Sequence, residues 1–131
     1  MATVRTECRS PMSPDAVWAA FADFGAVHTR LAPGFVTDTK IDAPGSRVVT
    51  FANGMTAREL LVTMDAGARR LVYAIVGSER LTHHNGAFQV HPDGSGSRIT
   101  WTADMLPDAA AEAIGPMMEA GTAAMAKNFG A

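Results

Sequence analysis

The sequence predicts an α+β domain in which one long C-terminal helix packs on the apolar face of an antiparallel sheet. Three observations carry that prediction. Six strand-like runs follow one another between residues 35 and 105, separated by short turn signals. A helical spacing of apolar residues occupies residues 107–129. A short strand and two short helices precede both. Successive hairpins give an antiparallel meander, and a long helix after such a sheet has one apolar face to cover.

The elements follow in order. Residues 3–8 form a first strand with weak alternation. Ser10-Pro11-Met12-Ser13-Pro14 breaks the chain. Ser13 is placed to cap a helix, with Pro14 at its first position and Asp15 in its first turn. Val17, Trp18, Phe21 and Ala22 lie on one side of that helix, and Asp23-Phe24-Gly25 ends it. Residues 26–31 form a second short helix, stopped by Ala32-Pro33-Gly34. Residues 35–41 and 47–52 are strands around a Pro44-Gly45 turn, and Asn53-Gly54 is the clearest hairpin signal. Residues 55–64 answer as its partner strand. Residues 69–76 are apolar on both faces, which places that strand centrally or under a helix. Residues 81–91 and 98–105 complete the sheet; Ile99, Trp101, Ala103 and Met105 alternate against Thr100, Thr102 and Asp104.

In the terminal helix, Pro107 suits the first turn, and Asp108, Glu112 and Lys127 complement the helix dipole. Ile114, Met117, Met118, Gly121, Ala124 and Met125 share one face. Pro116 predicts a kink or break beside Gly115. The face is rich in flexible Met and small residues, so it closes a space less tightly than a Leu-rich one. Two readings fit: a lid over a cavity, or an ordinary core helix.

The chain has 131 residues, enough for a single domain, 1–131, with its own core. It is 47% hydrophobic and 18% charged, the composition of a folded protein. A net charge of −2 argues against a nucleic-acid grip. No segment approaches the roughly 20 apolar residues of a membrane span. MATVRTECRS lacks a basic region followed by an apolar run, so no signal peptide is expected. The single Cys8 forms no internal disulfide, which suits a cytoplasmic location.

SPDAVWAAFADFG, RVVTFANG, ARELLVTMDAGARRLVYAI, SRITWTADM and IGPMMEAGTAAMAKNF, in this order, resemble the START-like helix-grip (SRPBCC) superfamily, and within it the bacterial polyketide cyclase/dehydrase-like proteins. The resemblance implies a helix-grip fold: a seven-stranded antiparallel sheet wrapped around the long C-terminal helix, two short helices after the first strand, and an elongated apolar cavity. Relatives often carry a Trp near the end of the second short helix, where this chain has HTRLAP, and a Tyr in the sixth strand, where it has His83-His84-Asn85-Gly86. Both changes alter the size and polarity of a cavity.

Strand parity then sorts the polar residues. If Phe88 and Val90 face the cavity, so do His84 and Gly86; if Leu61 does, so does Glu59; Trp101 and Met105 go with Ile99. Tyr73, on the doubly apolar strand, fits either face. A bulge would reverse any of these assignments. Glu59, Tyr73 and His84 are therefore the candidate acid–base residues. The same residues also read as an oriented ion pair, a pocket wall and a satisfied histidine. The candidate ligand-binding residues are Leu61, Phe88, Trp101, Met105, Ile114, Met117, Met118, Gly121 and Met125. Adjacent His83 and His84 point to opposite faces, so no metal site is expected. DGSGS, residues 93–97, lacks the Lys and following helix of a phosphate loop. No cofactor is implied.

The expected function is binding of a hydrophobic, lipid- or polyketide-like small molecule between sheet and helix. The alternative is a cyclase/dehydrase-type enzyme using Glu59, Tyr73 and His84. A protein-interaction module is a third class, marked by a large exposed apolar patch. The oligomeric state is open, a homodimer included.

Overall fold

A computed structural model describes residues 1–131. Its order is β1 (Ala2–Ser10), α1 (Pro14–Ala22), a π-helical turn (Val27–Leu31), β2 (Val36–Ala43), β3 (Ser46–Phe51), β4 (Thr56–Asp65), β5 (Arg70–Val76), β6 (His83–Asp93), β7 (Gly96–Leu106), a 3₁₀ turn (Asp108–Ala110) and α2 (Ala111–Asn128). The seven strands form one antiparallel sheet, ordered β1-β7-β6-β5-β4-β3-β2. The closing step, β1 against β7, brings the two ends of the chain together, so the expected α+β helix-grip architecture is present.

Local chemistry explains most boundaries. The Ser13 hydroxyl accepts from the Ala16 amide at 3.3 Å, and Pro14 opens α1. The second short helix differs from expectation. It is a π turn, closed by a bond from the Ala32 amide to the Val27 carbonyl at 2.9 Å. Pro33 holds Ala32 out of the α region (φ −136°, ψ 59°), so the turn cannot continue. The terminal helix also differs. Pro107 is extended (φ −68°, ψ 160°), a 3₁₀ turn follows, and α2 proper begins at Ala111. No break occurs at Pro116, and the helix runs through it. The ring deprives the Glu112 carbonyl of its partner, and Glu112 lies on an exposed turn where water substitutes.

One large cluster holds the domain together: Val17 and Phe21 of α1, Leu71, Phe88, Val90 and Ile99 of the sheet, and Met125 and Phe129 at the end of α2. Phe21 meets Phe88 at 5.0 Å and Phe129 at 6.4 Å between ring centroids. The C-terminal half of α2 is also fixed by polar bonds. Thr122 Oγ1 donates to Thr6 Oγ1 at 2.7 Å, and Ser10 Oγ to the Phe129 carbonyl at 2.7 Å. Asn128 Nδ2 donates to the carbonyls of Arg30 at 2.6 Å and Leu31 at 3.2 Å.

A buried ion pair ties the other end of the sheet to the helical connection. Arg47 on β3 and Glu59 on β4 are paired residues in the ladder, 3% and 7% exposed. Nε and Nη2 of Arg47 both bond Glu59 Oε1, at 2.9 and 2.8 Å. Arg47 Nη1 donates to the Phe24 carbonyl at 3.1 Å, and the guanidinium lies 4.1 Å over the Phe24 ring. Arg47 alone thus joins β3, β4 and the segment after α1.

Breaking such a pair leaves a buried charge unmatched. Arg47→Met is expected to cost about 3–5 kcal/mol in urea unfolding, and Arg47→Met with Glu59→Leu to recover most of that. A single variant as stable as the wild type would show that the pair contributes nothing to the fold.

Candidate ligand cavity

The concave side of the sheet is set by strict parity. On β6, His84, Gly86, Phe88 and Val90 are buried while their neighbours are partly or fully exposed. On β4, Glu59 is buried and Leu61 half-buried between exposed residues. The one bulge of β4 falls between Leu61 and Thr63, beyond both, so it does not turn Glu59 outward. Tyr73 lies opposite Leu61 and Gly86 and is buried on the concave side.

Between this face and α2 lies a cavity of about 890 Å³. Of its 34 lining residues, 23 are hydrophobic, so it favours apolar matter. The inner end is walled by Val27, Leu31, Phe35, Val49, Phe88, Trp101 and Met125. Its rim is formed by Met55 after the β3–β4 turn, by residues 77–81 of the β5–β6 loop, and by Pro107, Ala109, Ala110 and Ala113. Small residues at the start of α2 leave the space that larger ones would fill.

Glu59, Tyr73 and His84 all line this cavity, as do Phe88, Trp101, Ile114, Met117, Met118, Gly121 and Met125. Two expected lining residues do not. Met105 is fully buried in a second cluster with Ala103 and Met118, sealed from the cavity. Leu61 packs against the main cluster where β4 begins its bulge. Gly121 faces two aromatic rings at close range. A Cβ there would stand 2.9 Å from the Phe35 ring and 3.0 Å from the Trp101 indole, so a glycine is needed for α2 to seat.

The polar groups differ in how they are satisfied. One oxygen of Glu59 is committed to Arg47. His84 is 4% exposed, and its Nδ1 has no hydrogen-bond partner. Desolvation, the first cause, lowers the His84 pKa and keeps the ring neutral at pH 7. The Tyr73 hydroxyl accepts from Trp101 Nε1 at 3.2 Å. Burial, and then the charge of Glu59, holds the Tyr73 phenol above its usual range, so it stays protonated.

Aromatic rings form a continuous wall. Phe88 stacks on Trp101 at 4.8 Å and on Tyr73 at 5.8 Å, and Tyr73 neighbours the His84 ring at 6.0 Å between centroids. Arg47 and Phe35 were not among the expected site residues. Arg47 shares strand parity with Val49 and Phe51, a signal that would have found it. Parity does put Gly86 on the concave face with His84, but not the Tyr73 ring over it, and Phe35 acts through neighbours distant in sequence that no local pattern marks. No group of three or more His, Cys, Asp or Glu side chains is placed to hold a metal ion. No helix is long and apolar enough to cross a membrane.

Comparison with known proteins agrees with this geometry. The chain is similar in structure to XoxI from Bacillus cereus, with a TM-score of 0.86, 21% identity, and 98% of this chain and 96% of that one covered. It is similar to a START superfamily protein from Mycobacterium smegmatis (TM-score 0.78, 13% identity, 98% and 97% covered). It also matches 46% of the di-domain ARO/CYC BexL from the BE-7585A biosynthetic pathway over 98% of its own length (TM-score 0.81, 17% identity). A search of curated proteins returns no match. The family model described as polyketide cyclase / dehydrase and lipid transport matches residues 1–130. This chain therefore belongs to the polyketide cyclase / dehydrase and lipid transport family.

Proposed function

We propose that this protein binds a hydrophobic, lipid- or polyketide-like small molecule between its sheet and its C-terminal helix, and that it does so in the cytoplasm. The cavity carries the reading. At about 890 Å³ it lies within the roughly 300–1,000 Å³ span of small-molecule sites, and 23 of its 34 lining residues are hydrophobic. The two buried charges in its lining, Arg47 and Glu59, neutralise one another, and Arg58, Glu79 and Arg80 stand at its exposed edge. Family membership supports the class of ligand without naming one.

A second reading, a cyclase- or dehydrase-type enzyme, is supported by the convergence of Glu59, Tyr73 and His84 on this one space. Ring closure followed by dehydration needs a proton removed beside a carbonyl and one delivered to a leaving hydroxyl, which departs as water. Neutral His84 suits removal and protonated Tyr73 suits delivery. The Arg47 contact limits Glu59, since one carboxylate oxygen is already committed to the guanidinium and is not free to meet a substrate.

The first test is native mass spectrometry of the protein purified from its own host, with identification of what denaturation releases; a co-purifying apolar molecule is the expected result. Met117→Trp, at a half-buried lining position, is expected to lower uptake of the apolar dye N-phenyl-1-naphthylamine at least about tenfold while the circular dichroism spectrum is kept. Unchanged uptake by the folded variant would remove the cavity from ligand binding. For the enzyme reading, Glu59→Gln, whose amide oxygen can still accept from Arg47, is expected to stop cyclisation of a short poly-β-ketone thioester in a variant that circular dichroism shows to be folded. Equal product from that variant would take Glu59 out of the reaction.

A further inference from the structure

Gly86 of β6 lies directly opposite Tyr73 of β5. A Cβ on Gly86 would fall well inside van der Waals contact with Cε1, Cζ and the hydroxyl oxygen of Tyr73. The Tyr73 ring therefore lies across the bare backbone of the neighbouring strand, a position that glycine alone permits. The hydroxyl at its tip accepts from Trp101 Nε1 at 3.2 Å and donates to no protein group. A buried phenol with its acceptor side occupied and its proton unspent lacks one partner. Its ring and oxygen line the cavity, so a ligand is the group able to supply that partner.

We propose, resting on the cavity reading above, that Tyr73 donates a hydrogen bond to an uncharged carbonyl oxygen of a flat, conjugated ligand, and that Gly86 sets this specificity by admitting the Tyr73 ring. The charges define why the acceptor is neutral. Each nitrogen of the Arg47 guanidinium already has a partner, Nε and Nη2 in Glu59 and Nη1 in the Phe24 carbonyl. Arg58 pairs with Asp42 at 3.0 Å, and Arg80 lies on the exposed β5–β6 loop. Arg80 has no ion-pair partner but stands on the exposed rim, whereas an anionic ligand oxygen beside Tyr73 would face the Glu59 carboxylate, whose guanidinium partner is already bound to it. The flatness follows from the wall: Tyr73, Phe88 and Trp101 stack at centroid distances of 5.8 and 4.8 Å with interplanar angles of 26° and 25°. Such a surface favours a conjugated face over a flexible chain.

The test compares three probes of one shape by calorimetry at pH 7: 2-acetylnaphthalene, 2-ethylnaphthalene and 2-naphthoate. The ketone is expected to bind about tenfold tighter than the hydrocarbon, and the carboxylate more weakly than the ketone by at least about tenfold. In Tyr73→Phe, and in Gly86→Ala, the ketone-to-hydrocarbon ratio falls to about one. Equal binding of ketone and hydrocarbon by the wild type overturns the donor role of Tyr73 and leaves the cavity reading standing. Carboxylate binding as tight as that of the ketone overturns the neutral-acceptor assignment. Absence of binding by both uncharged probes overturns the cavity reading and this proposal with it. Should either variant fail to fold, the infrared band of carbonyl-labelled 2-acetylnaphthalene on the wild type decides. A band below its position in cyclohexane is the expected result, and an unshifted band refutes the hydrogen bond.

Discussion

Phe21, Phe88 and Phe129 meet in a single knot, and the rest of the molecule is arranged by where that knot lies. It joins α1, the middle of β6 and the last residue of the terminal helical segment. The C-terminal half of α2 is consequently pressed onto the sheet, and Thr122, Asn128 and Ser10 add hydrogen bonds there. Ahead of it, the 3₁₀ turn and the first turns of α2 carry Ala109, Ala110, Ala113 and Gly115, and only Met118 of that first half is buried, against Ala103 and Met105 at the β7 side. A curved sheet filled at one end by aromatic rings and covered at the other by so many small residues leaves a space. The hollow is a direct result of uneven side-chain size along one helix.

Two kinds of interaction keep that hollow from collapsing. The Arg47–Glu59 pair braces β3 against β4 and is itself braced by Phe24. The rings of Tyr73, Phe88 and Trp101 support one another across β5, β6 and β7. Both lie across strands, where side-chain pairs stabilise a sheet. They are contacts that neighbouring strands make with one another.

The order of elements was legible because turn chemistry is local. Asn53-Gly54, Pro44-Gly45 and Asp93-Gly94 each mark a hairpin end, and alternation along β6 and β7 fixed which residues face inward. Parity also put Glu59 and His84 on the concave side, since the β4 bulge comes later in the strand. Interactions that cross the sheet were not legible. Nothing near Gly86 announces that a ring from β5 occupies its place, and nothing near Phe35 announces its contact with Gly121. Pro116 misled for the opposite reason. Its local penalty is real, but one lost bond on an exposed turn is small beside the packing of eighteen helical residues. Met105 and Leu61 have the right parity and still miss the cavity, because parity gives the face and not the depth.

The sixth strand carries glycine at position 86, and a tyrosine from the fifth strand lies across its bare backbone. The aromatic surface over one strand is thus supplied by its neighbour, which separates the strand that is lined from the residue that lines it. The division of α2 does the same on a larger scale: substitutions near its start can resize the chamber, while those near its end are held to the demands of folding. Ligand range in such a scaffold can drift over generations without each step being tested first against stability.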